Sequence, residues 1–122
     1  MNMTIEECYQ ELGGNYASVS SRIPGSKLIE KFIGKFLDDR SFETLCIQIQ
    51  AGNREGAFRA AHTLKGVCAN LSLDRLQKSA GRLTEILRAE EAVIPETAEV
   101  EFEKVKKDYA ETVSVIRRYF DK

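Results

Sequence analysis

The chain has 122 residues, enough for one domain spanning 1–122, and 43% of them are hydrophobic, enough for a real core. Charged residues make up 30%, both signs are mixed and the formal net charge is −1, which argues against a nucleic-acid binder, a class that shows a basic excess or stripe. No apolar run approaches the roughly 18–20 residues of a membrane span and the N-terminus lacks a signal-peptide pattern, so no membrane partner is expected.

Cys8, Cys46 and Cys68 are odd in number and their spacings fit no zinc module. They fall on apolar positions of predicted helices and read as reduced packing residues of a cytoplasmic protein. Six helical segments are predicted and no strand. Thr4 with Glu7 three residues later is a capping box that opens a short helix to about Leu12, stopped by Gly13-Gly14. Residues 15–22 are ambiguous between loop and a turn of helix, and Pro24-Gly25 is a break.

Ser26 is the expected cap of the next helix, which runs to Asp38 or Asp39 with Leu28, Ile29, Phe32, Ile33, Phe36 and Leu37 on one broad face. Ser41 is the expected cap of a third, with Phe42, Leu45, Cys46 and Ile49 inward. Ala51-Gly52 ends it, and Asn53 caps a helix that runs to about Leu71. Leu71-Ser72-Leu73 is a tight connection. The next helix, about 74–91, carries Leu76, Ala80, Leu83 and Leu87 at strict 3–4 spacing. Pro95 marks a boundary. The last helix, about 97–120, places Phe102, Val105, Tyr109, Val113, Ile116 and Phe120 inward. The acidic run Glu90, Glu91, Glu96, Glu99 and Glu101 reads as a loop plus a helix N-terminus, where the dipole favours negative charge. Short connections make successive helices antiparallel neighbours. The expected fold is therefore all-α: an up-and-down antiparallel four-helix bundle with an additional short N-terminal helix, one of the segments 27–39 and 41–51 serving as a cover.

The only histidine, His62, lies on the polar side of the 53–71 helix. At about 100° per residue, Ala57, Ala61, Leu64, Cys68 and Leu71 form the core stripe, and His62 points roughly 120° from its centre. Gly66 and Ala69 follow one and two turns later on the same face. A helical glycine costs about 1 kcal/mol against alanine, so two small residues here clear the surface beside an imidazole. Arg59 and Lys65 flank it at i−3 and i+3.

The string Ala61-His62-Thr63-Leu64-Lys65-Gly66, followed by Val67-Cys68-Ala69-Asn70-Leu71, resembles the histidine phosphotransfer (HPt) domain motif. That motif has a phospho-accepting histidine, then a hydrophobic residue at +2, Lys at +3, Gly at +4 and a hydrophobic residue at +9. Leu64, Lys65, Gly66 and Leu71 occupy those places, and the small residue usual at +7 is Ala69. The glycine usual at +10 is Ser72 here, a departure that touches the turn and not the acceptor. Length and helix order extend the resemblance over essentially the whole chain.

A hairpin turning at 72–73 pairs position n with roughly 145 − n, which sets His62 level with about residue 83. The stripe beside the core on that helix is Gln77, Gly81, Thr84 and Arg88. Gly81 is small, Thr84 can hydrogen-bond, and Arg88 can reach an anion. Some relatives, especially those opening chemotaxis-type kinases, have a glutamate at the place of Thr84 that orients the imidazole; its absence points away from that subtype.

The resemblance implies a phosphocarrier without turnover activity of its own. His62 takes a phosphoryl group as a nucleophile through a ring lone pair. Lys65, with Arg59 or Arg88, offsets the charge gained. Gly66 and Ala69 give access. The partners implied are response-regulator receiver domains and a hybrid sensor histidine kinase. No cofactor is expected in the domain, since Mg²⁺ belongs to the receiver. An exposed apolar rim including Phe58 and residues of the 27–39 helix is the expected docking surface. The alternative is a helical-bundle interaction module whose His62 is not phosphorylated. Metal or haem binding is disfavoured, because no cysteine or paired carboxylate shares the face of the one histidine at ligand spacing.

Overall fold

The computed structural model describes residues 2–88 and 92–121. Among them lie seven helices and no strand: α1 (Ile5–Leu12), α2 (Tyr16–Arg22), α3 (Ser26–Phe36), α4 (Ser41–Gln50), α5 (Arg54–Leu71), α6 (Asp74–Leu87) and α7 (Thr97–Phe120). One core cluster runs from Ile5 to Tyr119 and draws on every helix.

The helix signals in the sequence act much as expected. Thr4 and Glu7 form the reciprocal capping box of α1, and Gly13 closes it in the left-handed region at φ 65°. Asn53 Oδ1 accepts the Gly56 N–H at 3.0 Å and starts α5. Four expectations change. Residues 15–22 are the helix α2, opened by Asn15, whose Oδ1 accepts the Ser18 N–H at 2.9 Å. Ser26 and Ser41 do not cap; they are the first residues inside α3 and α4, after Gly25 and Arg40, and Asp39 Oδ1 takes the Ser41 N–H. The helix after the turn ends at Leu87, and residues 89–91, with the expected continuation and Glu90 and Glu91, lie outside the described residues. Phe32 and Phe120 are exposed, at 37% and 44%, because α3 and α7 already fill the core with Ile29, Ile33, Phe36, Ile116 and Tyr119.

The packing that positions the site is a succession of reversals. α5 and α6 make the most extensive contact, followed by α4 with α5 and α6 with α7. The stem of Lys65 lies on Gly81, while Arg54 Nη1 donates to the Leu87 carbonyl at 2.6 Å, so α5 and α6 run antiparallel. Arg82 meets Glu101 and Arg75 meets Glu111, which reverses α7 on α6. The Phe42 ring of α4 stacks on Tyr109 of α7 with centroids 3.9 Å apart.

The C-terminus of α5 is held from the N-terminal segment. Ser72 ends the helix with φ 55°, a left-handed conformation that costs a non-glycine residue about 1–2 kcal/mol. Arg22 of α2 offsets this. Its Nη2 donates to Ser72 Oγ at 2.6 Å, to the Ala69 carbonyl at 3.0 Å and to the Asn70 carbonyl at 3.2 Å. Tyr9 donates to the Leu71 carbonyl at 2.8 Å, and the Asn15 N–H to the Ser72 carbonyl at 3.0 Å. Carbonyls that a helix end would leave open are thus answered by α1 and α2.

Candidate functional site

The two faces of α5 separate cleanly. Ala57, Ala61, Leu64, Cys68 and Leu71 are buried, with Ala60 beside them. Burial pushes the Cys68 thiol up to about 12, as suits a packing group on the core face. Arg59, His62, Thr63 and Gly66 are exposed on the other side.

The His62 ring lies nearly parallel to Phe58 one turn earlier, at 10° and 6.1 Å between centroids. Neither ring nitrogen has a hydrogen bond or ion pair among the described residues. The imidazole is therefore steered by an apolar neighbour while both nitrogens stay open to an incoming group. At Gly66 a Cβ would meet nothing within 4 Å. No close packing requires glycine there, so its helix-propensity cost is not explained by the fold.

The three cations around the ring differ. Arg59 pairs with Glu55 at 2.6 Å on the exposed surface. Arg88 pairs with Glu85 at 2.9 Å and sets its guanidinium over Phe58, 5.1 Å from the ring centroid. Arg88, Phe58 and His62 thus form a column across α5 and α6. Lys65 is half-buried along α6 and has no carboxylate partner among the described residues. Ala69 is half-buried two turns from His62, its carbonyl turned to Arg22.

Thr84 departs from its expected place. It is fully buried, and its hydroxyl donates to the Ala80 carbonyl at 2.7 Å. Both α5 and α7 pack on α6, which widens the buried stripe to take in Ser79 and Thr84. Thr84 therefore offers no donor to the imidazole face. Glu55 and Glu85 were not singled out from the sequence, although Glu55 lies four residues before Arg59 and Glu85 three before Arg88, the spacings at which helix surface charges pair. No group of three or more His, Cys, Asp or Glu suited to a metal occurs among the described residues.

The site thus combines an exposed histidine with open nitrogens, an ammonium three residues on without a carboxylate partner among the described residues, and an exposed glycine. Compared with known protein families, residues 27–114 match the Hpt domain. The chain belongs to the Hpt domain family. Hpt domains take part in histidine phosphotransfer in phosphorelays, with histidine kinases and receiver domains, and are in general phosphocarriers and not enzymes. The Hpt match contains the whole His62 helix, while α1 and α2, which hold its C-terminal end, precede it. The comparisons with curated proteins and with solved structures each returned no match. No helix among the described residues is long and apolar enough to cross a membrane.

Proposed function

We propose that His62 carries a phosphoryl group between receiver-domain aspartates, or accepts it from a histidine kinase. The observation that carries this reading is the imidazole itself: exposed, unbonded at both nitrogens, and next to Lys65 and Gly66. A ring nitrogen attacks the phosphorus of an aspartyl phosphate. The P–N bond forms as the P–O bond breaks, the aspartate leaves as carboxylate, and the other ring nitrogen releases its proton to solvent. The reverse sequence passes the group to the next aspartate. The Lys65 ammonium offsets the negative charge that arrives. Arg59 and Arg88 contribute only by exchanging Glu55 and Glu85 for the phosphoryl group. Ala69 and Gly66 keep the approach low.

On this reading the domain spans 1–122, its α4–α7 form the four-helix up-and-down bundle, and it needs neither cofactor nor turnover activity of its own. Mg²⁺ is supplied by the receiver. The partner footprint includes Phe58 and the exposed Phe32 of α3. Three free thiols suit the reducing cytoplasm.

The test is incubation with a phosphorylated receiver domain and Mg²⁺, or with an active hybrid kinase. Label that is acid-labile and base-stable supports the carrier. Absence of label from both donors leaves the interaction module.

A further inference from the structure

Gly81 lies inside α6 and is not among the residues with left-handed backbone. Its backbone therefore needs no glycine. Its surroundings do not need one for core packing either. A Cβ built there would have only two heavy atoms within 4 Å outside the local helix backbone, Lys65 Cδ and Cε, both at 3.7 Å. That is ordinary van der Waals contact, so one carbon fits and a longer side chain would occupy the track of the lysine stem. Glu85, one turn further along α6, is already engaged by Arg88.

We infer that Gly81 is a positioning residue for Lys65: it seats the methylene stem across α6 and keeps the ammonium, uncommitted to any carboxylate, on the flank one turn from His62. The inference rests on His62 being the phosphoryl acceptor. A stem resting on a surface loses less freedom when the ammonium meets the phosphoryl group, because part of the side-chain entropy is already spent. Lys65 thus acts as a prepared counter-charge, whereas Arg59 and Arg88 must first give up their glutamates.

The experiment compares wild type, Gly81→Ala, Gly81→Leu, Lys65→Ala and the double variant of Gly81→Leu with Lys65→Ala. The readout is the equilibrium ratio of phosphorylated domain to phosphorylated receiver, with thermal melting to confirm folding. Gly81→Ala should stay within about 1.5-fold of wild type, and Gly81→Leu should shift the ratio toward the receiver by about 2- to 10-fold, as Lys65→Ala does. In the Lys65→Ala background, Gly81→Leu should add nothing, since the two act through one group. An equal effect in both backgrounds would mean that the leucine obstructs docking, and a wild-type ratio for Gly81→Leu would mean that the seat does not matter; either overturns the inference. Gly81→Glu is the second variant should leucine unfold the domain: it offers Lys65 a carboxylate, and its shift should shrink at high salt. Nuclear Overhauser contacts from Gly81 Hα to the Lys65 δ and ε protons are read on the unphosphorylated protein. Their absence overturns the inference whether or not label is accepted, while failure of wild type to accept label with those contacts present overturns the carrier reading and, with it, the counter-charge role, leaving only the seat of the stem.

Discussion

Gly56 and Gly66 lie on the same helix and mean different things. At Gly56 a Cβ would come within 2.5 Å of Gln48 Oε1 and 2.9 Å of Asn53 Nδ2, so a larger residue would have to displace the side-chain ends of α4 and of the helix cap. At Gly66 a Cβ would meet open space. The first glycine has close neighbours inside the chain, and the second has none. The same division runs around α5 as a whole: Leu64 and Cys68 are buried in the core, while His62 and Gly66 are exposed. On the proposed function, a costly residue without an internal reason marks the face that meets the partner.

Substitutions on the two faces should separate stability from transfer. The largest effect falls on His62→Gln, which should remove all phosphoryl acceptance while changing unfolding free energy by under ~0.5 kcal/mol, as exposed substitutions usually do. Equal labelling of the variant would sink the carrier reading, and a large loss of stability would erase the contrast between the faces. Across the helix, Leu64→Ala should cost about 2–5 kcal/mol by leaving a cavity, read by urea or thermal unfolding, with labelling retained by the folded fraction. Little loss of stability there would show that the buried face is looser than its full burial indicates.

Gly66→Leu sharpens the comparison of the glycines. Transfer from a receiver should slow about tenfold or more, since the new side chain stands one turn from the imidazole and displaces the reacting partner. Labelling by a small donor such as acetyl phosphate should persist. Slowing of both, or of neither, contradicts the access argument. Arg22→Ala tests the clamp at the end of α5. It should cost about 1–2 kcal/mol, because Ser72 keeps its left-handed strain without its hydrogen bonds, and Ser72→Gly should recover part of the loss in a melting experiment. Full stability of Arg22→Ala would mean that Tyr9 and Asn15 suffice.

The smallest expected effect is electrostatic. Lys65→Ala should move the phosphotransfer equilibrium toward the receiver by about 2- to 10-fold at low salt, and less at high salt. Arg59→Ala and Arg88→Ala should do less, since each loses a glutamate pair worth only about 0.2–1 kcal/mol when exposed. A larger effect for either arginine than for Lys65 would reverse the ranking of the cations.

Most of the local architecture was legible in the sequence. The capping box at Thr4, the cap at Asn53, and the stripe Ala57, Ala61, Leu64, Cys68 and Leu71 act through hydrogen bonds and periodicity within one helix, so neighbouring residues suffice to specify them. The string around His62 carried the family for the same reason, since its positions lie within one helix. Tertiary structure decided what depends on two elements meeting. Thr84 passed from the flank into the core because α5 and α7 both cover α6. Phe32 and Phe120 stayed outside because their helices had already filled the core. Ser72 could stand where glycine is usual because Arg22, fifty positions earlier, comes to rest on it. The commitments of the three cations likewise depend on placement: the Glu55–Arg59 and Glu85–Arg88 spacings are readable in one helix, but the seat of Lys65 on Gly81 exists only once α5 and α6 are packed.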